Sequence, residues 1–342
     1  MAASALLPLG LALLLAWAID ARWGEPPDAW HPVAWLGRVL GPLGRWLKAR
    51  SPLVAGVGGA AAWLLLAGGL MAAAAWLQWW ILSLPWWLAA PLLALLLKPL
   101  FAWRMLRGEV AAVGAALYQG LEPGRQRLAR LVSRDVRQLD AVQVRESAIE
   151  TLAENLNDSV VAPLAWFALL GLPGAVLYRF ANTADAMWGY RGEWEWAGKW
   201  AARADDVLSW PTARLSAVLL WPQMRLSELG ELWRQARLTP SPNGGWPMGA
   251  MALRLGVRLS KPGVYVLNEP GREADSADLQ GALLLAELAA QLWAVLAAGA
   301  LLLVGAFVQI PAAVPPWGGA GWHLPGLAVT LLAPWASAWT GA

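Results

Sequence analysis

Cysteine is absent from the 342 residues, which rules out a disulfide framework, a thiol nucleophile and a thiolate metal site. Histidine is almost as rare, with only His31 and His323, so a multi-histidine zinc centre is excluded as well. Charge is thin: 14% of residues are Asp, Glu, Lys or Arg, against about a quarter in soluble domains. None of these four types occurs after Glu287. The chain also lacks a G-x-x-x-x-G-K-[ST] phosphate loop, a G-x-S-x-G nucleophile elbow and a repeat of fixed period. Chemistry is left to carboxylates, amides, hydroxyls and the Lys and Arg head groups.

What the sequence has is apolar length. It is 58% hydrophobic and holds 26 tryptophans. A helix of about 18 or more apolar residues can cross the hydrocarbon core, and five stretches are candidates. They are Ala2–Ile19, Leu53–Leu82, the short Pro85–Leu97, Leu288–Ile310, and Trp322–Trp339, the last broken by Pro325 and Pro334. Pro163–Leu177 is too short for a span and reads as a re-entrant, interfacial or buried helix. Ala2–Ile19 has no basic n-region and a poor cleavage site, so it is expected to be a retained helix. Trp79, Trp80, Trp86 and Trp87 flank a turn at Leu84–Pro85 and read as headgroup-level anchors. Arginines and lysines crowd two loops, from Arg22 to Arg50 and from Arg104 to Arg145. The positive-inside rule makes both loops cytoplasmic. The formal charge of +3 is thus an orientation signal and not a nucleic-acid footprint. The predicted fold is all-α: a polytopic helical membrane protein with a cytoplasmic helical layer. It forms one integral-membrane domain over 1–342, with transmembrane helices in 1–97, a cytoplasmic or interfacial helical region in 98–282, and transmembrane helices in 283–342.

Within the middle region the spacing predicts helices over Arg125–Leu139 and Ala141–Leu156, with Asp140 as N-cap of the second. "TPSPNGGWP", Thr239 to Pro247, is a turn segment, and no run of alternating β-branched residues predicts a strand. On the second helix Glu146, Glu150, Glu154 and Asn157 fall within about 80° of one another, with Asp158 just beyond. An ordinary amphipathic helix would show such a face to water. Here no Lys or Arg occurs from Glu146 through Phe167, so no neighbour one turn away offsets the repulsion. The face also runs into an apolar segment, where ionisable groups are costly and functional. Clustered carboxylates suit Mg²⁺, and nearby Arg forks suit phosphate. Two further polar sets follow, "YRFANTADAMWGYR" with Asn182 and Asp185, and "KWAARADDVLSWPTAR" with Lys199, Arg203, Asp205, Asp206 and Arg214. The combination points to phosphate chemistry.

Several strings then add up to a resemblance. "DARWGEPPDAWHPVAWLGR" (Asp20–Arg38), "SRDVRQLD" (Ser133–Asp140), "IETLAENLNDSVVAPL" (Ile149–Leu164), "NTADAMWGYR" (Asn182–Arg191), "ARADDVLSWPTARL" (Ala202–Leu215) and "SPNGGWP" (Ser241–Pro247) occur in this order. Together they resemble the motif series of the integral-membrane adenosylcobinamide-phosphate synthase family of cobalamin biosynthesis, from about residue 20 to 265. Gly244 departs from the "NAGWP" common in that family. The resemblance implies an ATP-dependent amide ligation that joins (R)-1-amino-2-propanol, or its O-phosphate, to a propionate of adenosylcobyric acid. Region 98–282 would be catalytic, facing the cytoplasm from the bacterial cytoplasmic (inner) membrane. Mg²⁺ and ATP would be required, and other membrane enzymes of late cobalamin assembly are possible partners.

On that reading Glu150, Glu154, Asp158 and Asp185 are the expected catalytic acids and base. Glu150, Glu154, Asp158, Asp205 and Asp206 are the expected metal ligands. His31, Arg134, Asn157, Asn182, Arg191, Lys199, Arg203 and Asn243 are the expected substrate and phosphate contacts, with backbone N–H groups near Asn243 available to an anion. Three rival readings stand against it. A transporter with a carboxylate-lined cation path would spread polar residues through its spans, which are nearly clean here. A phosphotransferase on lipid-linked substrates would carry a D-x-x-D-G repeat, which is missing. A noncatalytic scaffold would leave the acid face unexplained.

Overall fold

The computed structural model describes residues 3–309. They form thirteen α-helices: α1 Ala3–Trp23, α2 Pro32–Lys48, α3 Pro52–Leu82, α4 Trp86–Leu97, α5 Trp103–Gln119, α6 Leu121–Leu128, α7 Ala141–Leu156, α8 Ala162–Leu170, α9 Leu172–Trp188, α10 Lys199–Leu220, α11 Leu229–Ala236, α12 Gly245–Leu255 and α13 Ser276–Gln309. One antiparallel hairpin, β1 Leu259–Lys261 with β2 Tyr265–Leu267, is the only sheet among the described residues. Four stretches are long and apolar enough to cross a membrane: Ala5–Trp23, Pro52–Leu82, Trp86–Gln119 and Ser276–Phe307. The chain is therefore a polytopic all-α membrane protein. The expected Trp322–Trp339 span lies outside the described residues.

Small residues set the packing of the spans. Ala12 and Ala16 of α1, Ala89, Ala90 and Ala94 of α4, and Ala286, Ala290, Ala294 and Ala298 of α13 are all buried, which lets helix backbones approach closely without a water-driven term. Leu302 of α13 lies against Gly10, and Gly305 against Leu6, so α1 and α13 run antiparallel. At the opposite end Lys98, in a 3-10 turn after α4, meets Asp20 of α1 at 3.0 Å. This end is the polar side of the molecule, because Ala102 N–H donates to Ser159 O at 2.9 Å and so ties the helical layer to it. At the other end Trp79, Trp80, Trp86 and Trp87 are exposed around the α3–α4 turn.

The short apolar segment proves to be re-entrant. Gln78, near the far end of α3, accepts the N–H of Leu172 at 2.6 Å, so the α8–α9 turn reaches deep among the spans. Yet α8 begins beside Ser159 at the polar end, and α9 returns there, where Trp188 Nε1 donates to Leu40 O at 3.1 Å. Gly171 makes the turn possible, with φ +71 and ψ −153, a region almost confined to glycine.

Two expectations need correction. The predicted helix Arg125–Leu139 stops at Leu128, and residues 129–140 form turns that swing Arg134 inward, while Arg125 Nε closes the segment onto Leu139 O at 2.7 Å. The β1–β2 hairpin was not foreseen, because three-residue strands leave no alternation to read.

Candidate active site in a polar cleft

Asp140 caps α7 through a reciprocal box: Gln143 N–H donates to Asp140 Oδ1 at 2.8 Å, and Asp140 N–H donates to Gln143 Oε1 at 3.0 Å. Two orphan amides of the first turn are thereby satisfied. At its other end α7 passes into a π-helical turn, Asn157–Val161, where Ala162 N–H bonds Asn157 O. Such wide turns are rare and concentrate at functional sites. Asn157 and Asp158 project from this one.

The acid face of α7 is divided by its tertiary surroundings. Glu146 accepts from Ser260 N–H at 3.1 Å and from the Ser260 hydroxyl, with Arg258 Nε 3.6 Å away. Glu150 pairs at 3.2 Å with Arg134, whose guanidinium also donates to Ser147 Oγ. Cations from distant segments thus cover the first half of a face that the local sequence leaves unpartnered. Neither Glu150 nor Arg134 lines the cleft that Glu154 and Asp158 border. The latter two form part of one wall of this cleft of about 880 Å³.

The other walls come from the end of α9 and the loop after it, the first half of α10, and the α11–α12 connection. Asp185, Asp205 and Asp206 join Glu154 and Asp158 on the acidic side. Asn182 donates to Asp205 Oδ1 at 3.5 Å and lies beside Asp158, whose carboxyl it holds down slightly. Asp158 further accepts from Asn157 Nδ2 at 2.8 Å and from the Tyr178 hydroxyl at 3.3 Å. Tyr178 is held by Ser209 at 3.0 Å, and Asn157 by Ser216 at 3.2 Å. Burial and mutual repulsion hold these acids above the usual carboxylate range. Burial, then the Asp158 and Glu150 charges, raises Glu154 to about 7. Burial, then Asp158 and Asp185, raises Asp205 to about 8. Burial, then Asp206 and Asp158, raises Asp185 to about 6. All three lie outside the four spans.

The same cleft is also lined by Arg191, Lys199, Arg203, Arg214 and Arg237. Lys199 lies over Trp196 at 4.7 Å and within 4.0 Å of Glu195. Arg203 is 3.8 Å from Asp206. Arg237 rests on Trp233 at 4.5 Å. Arg214 is stacked between Trp210 and Trp246, at 4.4 and 4.7 Å, and donates to Asn243 Oδ1 at 2.8 Å.

The expected residues therefore separate into two groups. Glu154, Asn157, Asp158, Asp185, Arg191, Lys199, Arg203, Asp205, Asp206 and Asn243 line the cleft, and Asn182 supports its acidic wall. Glu150, Arg134 and His31 do not reach it. His31 instead caps α2, its Nδ1 accepting from Val33 N–H at 3.2 Å, while Nε2 faces Glu25 at 3.0 Å. Glu25 in turn meets Lys98 at 2.6 Å, so this histidine belongs to a buried ion network that ties the α1–α2 loop to α4. Asn243 lines the cleft, but its turn is no free anion nest. The N–H groups of Asn243 and Gly244 both donate to Ser241 Oγ at 3.1 Å, and Asn243 Nδ2 holds Asp206 O at 2.8 Å. Gly244 is narrow for a reason: a β-carbon there would lie 2.8 Å from Glu154 Oε1. Sequence reasoning missed Tyr178, Ser209 and Arg237. The sign for Arg237 was the absence of any acid three or four residues away, at 233, 234, 240 and 241.

No three acidic or histidine side chains among the described residues converge closely enough to cage a metal unaided. Mg²⁺ commonly takes one or two carboxylates and fills its shell with water and phosphate oxygens. Asp158 and Asp205, both beside Asn182, would supply that partial shell; burial raises both, and the neighbouring acids raise Asp205 further, while Arg179 offsets part of the shift at Asp158. The donor set fits such an ion together with a phosphate substrate.

A family model described as "CobD/Cbib protein" matches residues 13–286. The probable cobalamin biosynthesis protein CobD of Thermococcus kodakarensis is 42% identical over 275 residues, covering 79% of this chain and 88% of the relative. That of Methanothermobacter thermautotrophicus is 39% identical over 310 residues, covering 85% and 98%. The cobalamin biosynthesis protein CobD of Chromobacterium violaceum is 38% identical over 315 residues, covering 86% and 98%. No solved structure matches the chain. A membrane-embedded helical bundle, the cleft on its polar end and relatives matched over nearly their whole length agree with one another: the chain belongs to the CobD/CbiB family of cobalamin biosynthesis proteins.

Proposed function

We propose that the cleft forms an amide bond between a propionate carboxylate of adenosylcobyric acid and the amine of (R)-1-amino-2-propanol O-phosphate or aminopropanol, with ATP consumed. The observation that carries this reading is one cavity lined both by acids, Glu154, Asp158, Asp185 and Asp205, and by cations, Arg191, Lys199, Arg203 and Arg237. A carboxylate at neutral pH is a poor electrophile. Transfer of the ATP γ-phosphoryl group to it gives an acyl phosphate, and attack by the amine then expels inorganic phosphate. The cleft arginines orient phosphate oxygens through forked hydrogen bonds. Asp158 and Asp205 would hold a magnesium ion, which when bound shields phosphate charge. Glu154 is the best placed base, since a group titrating near 7 can take the ammonium proton before attack and release it afterwards.

The corrin ring is too large to be engulfed together with ATP, so it lies at the mouth and sends its propionate inward. Tyr190 and Trp233, both exposed beside the cleft, offer apolar surface there. The basic residues at this end of the spans support a cytoplasmic opening in the bacterial inner membrane, within reach of other membrane enzymes of late cobalamin assembly. The test is to incubate detergent-purified protein with propionate-¹⁸O-labelled adenosylcobyric acid, aminopropanol phosphate, ATP and Mg²⁺. The reading requires an amide-linked corrinoid mass and one ¹⁸O in the released phosphate. Absence of the amide product overturns it.

A further inference from the structure

The helix that joins the first two spans leaves one face uncovered. α2 turns Leu40, Gly44 and Leu47 inward, where Leu40 and Leu47 join a core with Trp63 of α3 and Trp188 of α9. Its outer face presents Trp35, Arg38, Val39, Pro42, Arg45 and Trp46, at steps of three and four residues along the helix. Trp35, Val39 and Trp46 are 47%, 52% and 52% exposed. No acid occurs anywhere from residue 29 to 108. Arg50, just past the helix, lies over Trp46 at 4.5 Å, and among the described residues Arg38, Arg45 and Arg50 meet no carboxylate, whereas Lys48 on the flank is taken by Glu193 at 2.7 Å.

Two surroundings are wrong for this face. Bulk water would leave two indoles and a valine wet, and hydrocarbon would strand the arginines. The headgroup layer suits both, since indoles favour it and arginines there meet phosphate. Chain connectivity places α2 at that level. Only Ala49, Arg50 and Ser51 separate it from the start of the second span, and the end of the first span precedes it by the loop after Trp23. At about 25 Å in length, with both ends pinned to spans, the helix is confined to the membrane surface. We infer that α2 lies in the plane of the leaflet and that its outer face is a binding surface for anionic phospholipid headgroups.

The absence of cysteine makes the test clean, because a Val39→Cys variant carries the only thiol. That site and a control, Gln138→Cys in the exposed turn before α7, are labelled with one fluorophore, and the proteins are reconstituted in vesicles. The vesicles hold equal phosphatidylcholine and phosphatidylglycerol, with the acyl chains of one or the other brominated near the glycerol. The label at 39 should be quenched strongly and the label at 138 weakly. Brominated phosphatidylglycerol should outperform brominated phosphatidylcholine at 39. Replacing the exposed Arg38, Arg45 and Arg50 by Gln should erase that preference, by about fivefold per arginine. A label at 39 no better quenched than that at 138 overturns the proposal and marks the face for a protein partner or a second copy. Equal quenching by the two lipids overturns the anionic specificity. The readout is independent of any enzymatic activity.

Discussion

Glu150 and Glu154 stand one turn apart on α7, yet Arg134 closes on the first while the cleft opens on the second. Helical spacing put them on a common face, and that much was legible. Which acid faces a partner and which faces a cavity depends on segments far away in sequence, the turn after α6 and the β1–β2 hairpin, and no local pattern encodes it. Asp158, Asp185 and Asp205 were readable as unusual acids in apolar company, whereas Tyr178 and Ser209, which brace Asp158, look like ordinary helix residues. The pairing has a testable cost. Glu150 is 4% exposed, so Arg134→Ala leaves a buried charge unpaired, at about 3–5 kcal/mol. Denaturation in detergent should show that loss, and adding Glu150→Gln should recover part of it. An unchanged midpoint for Arg134→Ala would mean that the pair is not formed.

At the level of elements, the start of α7 was legible because Asp140 supplies a cap with a physical mechanism, and Gln143 completes it in the structure. Three of the four described spans were legible from apolar length, although the last begins at Ser276, twelve residues before Leu288; the third was read only as the short Pro85–Leu97, whereas the stretch continues to Gln119. The re-entrant α8–α9 hairpin was left undecided, since its two halves are each shorter than a bilayer. What resolves it is a single distant contact, Gln78 with Leu172. The π turn was invisible, because an extra residue in a helical turn changes no composition. Gly171 is where the hairpin is most exposed to test. In Gly171→Ala the new β-carbon would lie 2.3 Å from Gln78 Oε1, in a backbone region that side chains avoid at about 1–3 kcal/mol. Thermal unfolding should come earlier while the cap-dependent helix α7 keeps its signal. A neutral Gly171→Ala would contradict the tight approach of α3 to this turn.

Across the whole molecule, charge is sorted: spans whose few charges sit toward the polar end, a basic end, and an acidic wall gathered from α7, the π turn, α9 and α10. Glu154, Asp185 and Asp205 titrate at about 7, 6 and 8, whereas in the unfolded chain such groups titrate near 4. Between those values the folded protein holds more protons, so stability falls as pH rises from about 4 to 8. The melting temperature in detergent with chelator should drop by several degrees over that window. Asp205→Asn should flatten the upper part of the fall, and Mg²⁺ with ATP should restore stability at the alkaline end. A melting temperature that climbs with pH in chelator would show that burial and mutual repulsion do not raise these acids.

The most direct measurement is the rate of amide formation by wild type and by Glu154→Gln, each shown to be folded, with saturating adenosylcobyric acid, aminopropanol phosphate, ATP and Mg²⁺. Loss of a positioned base should lower the rate by about 10²–10⁴-fold while binding of the nucleotide persists. A wild-type protein that makes no amide, or a Glu154→Gln variant as fast as wild type, would contradict the assignment of the cleft.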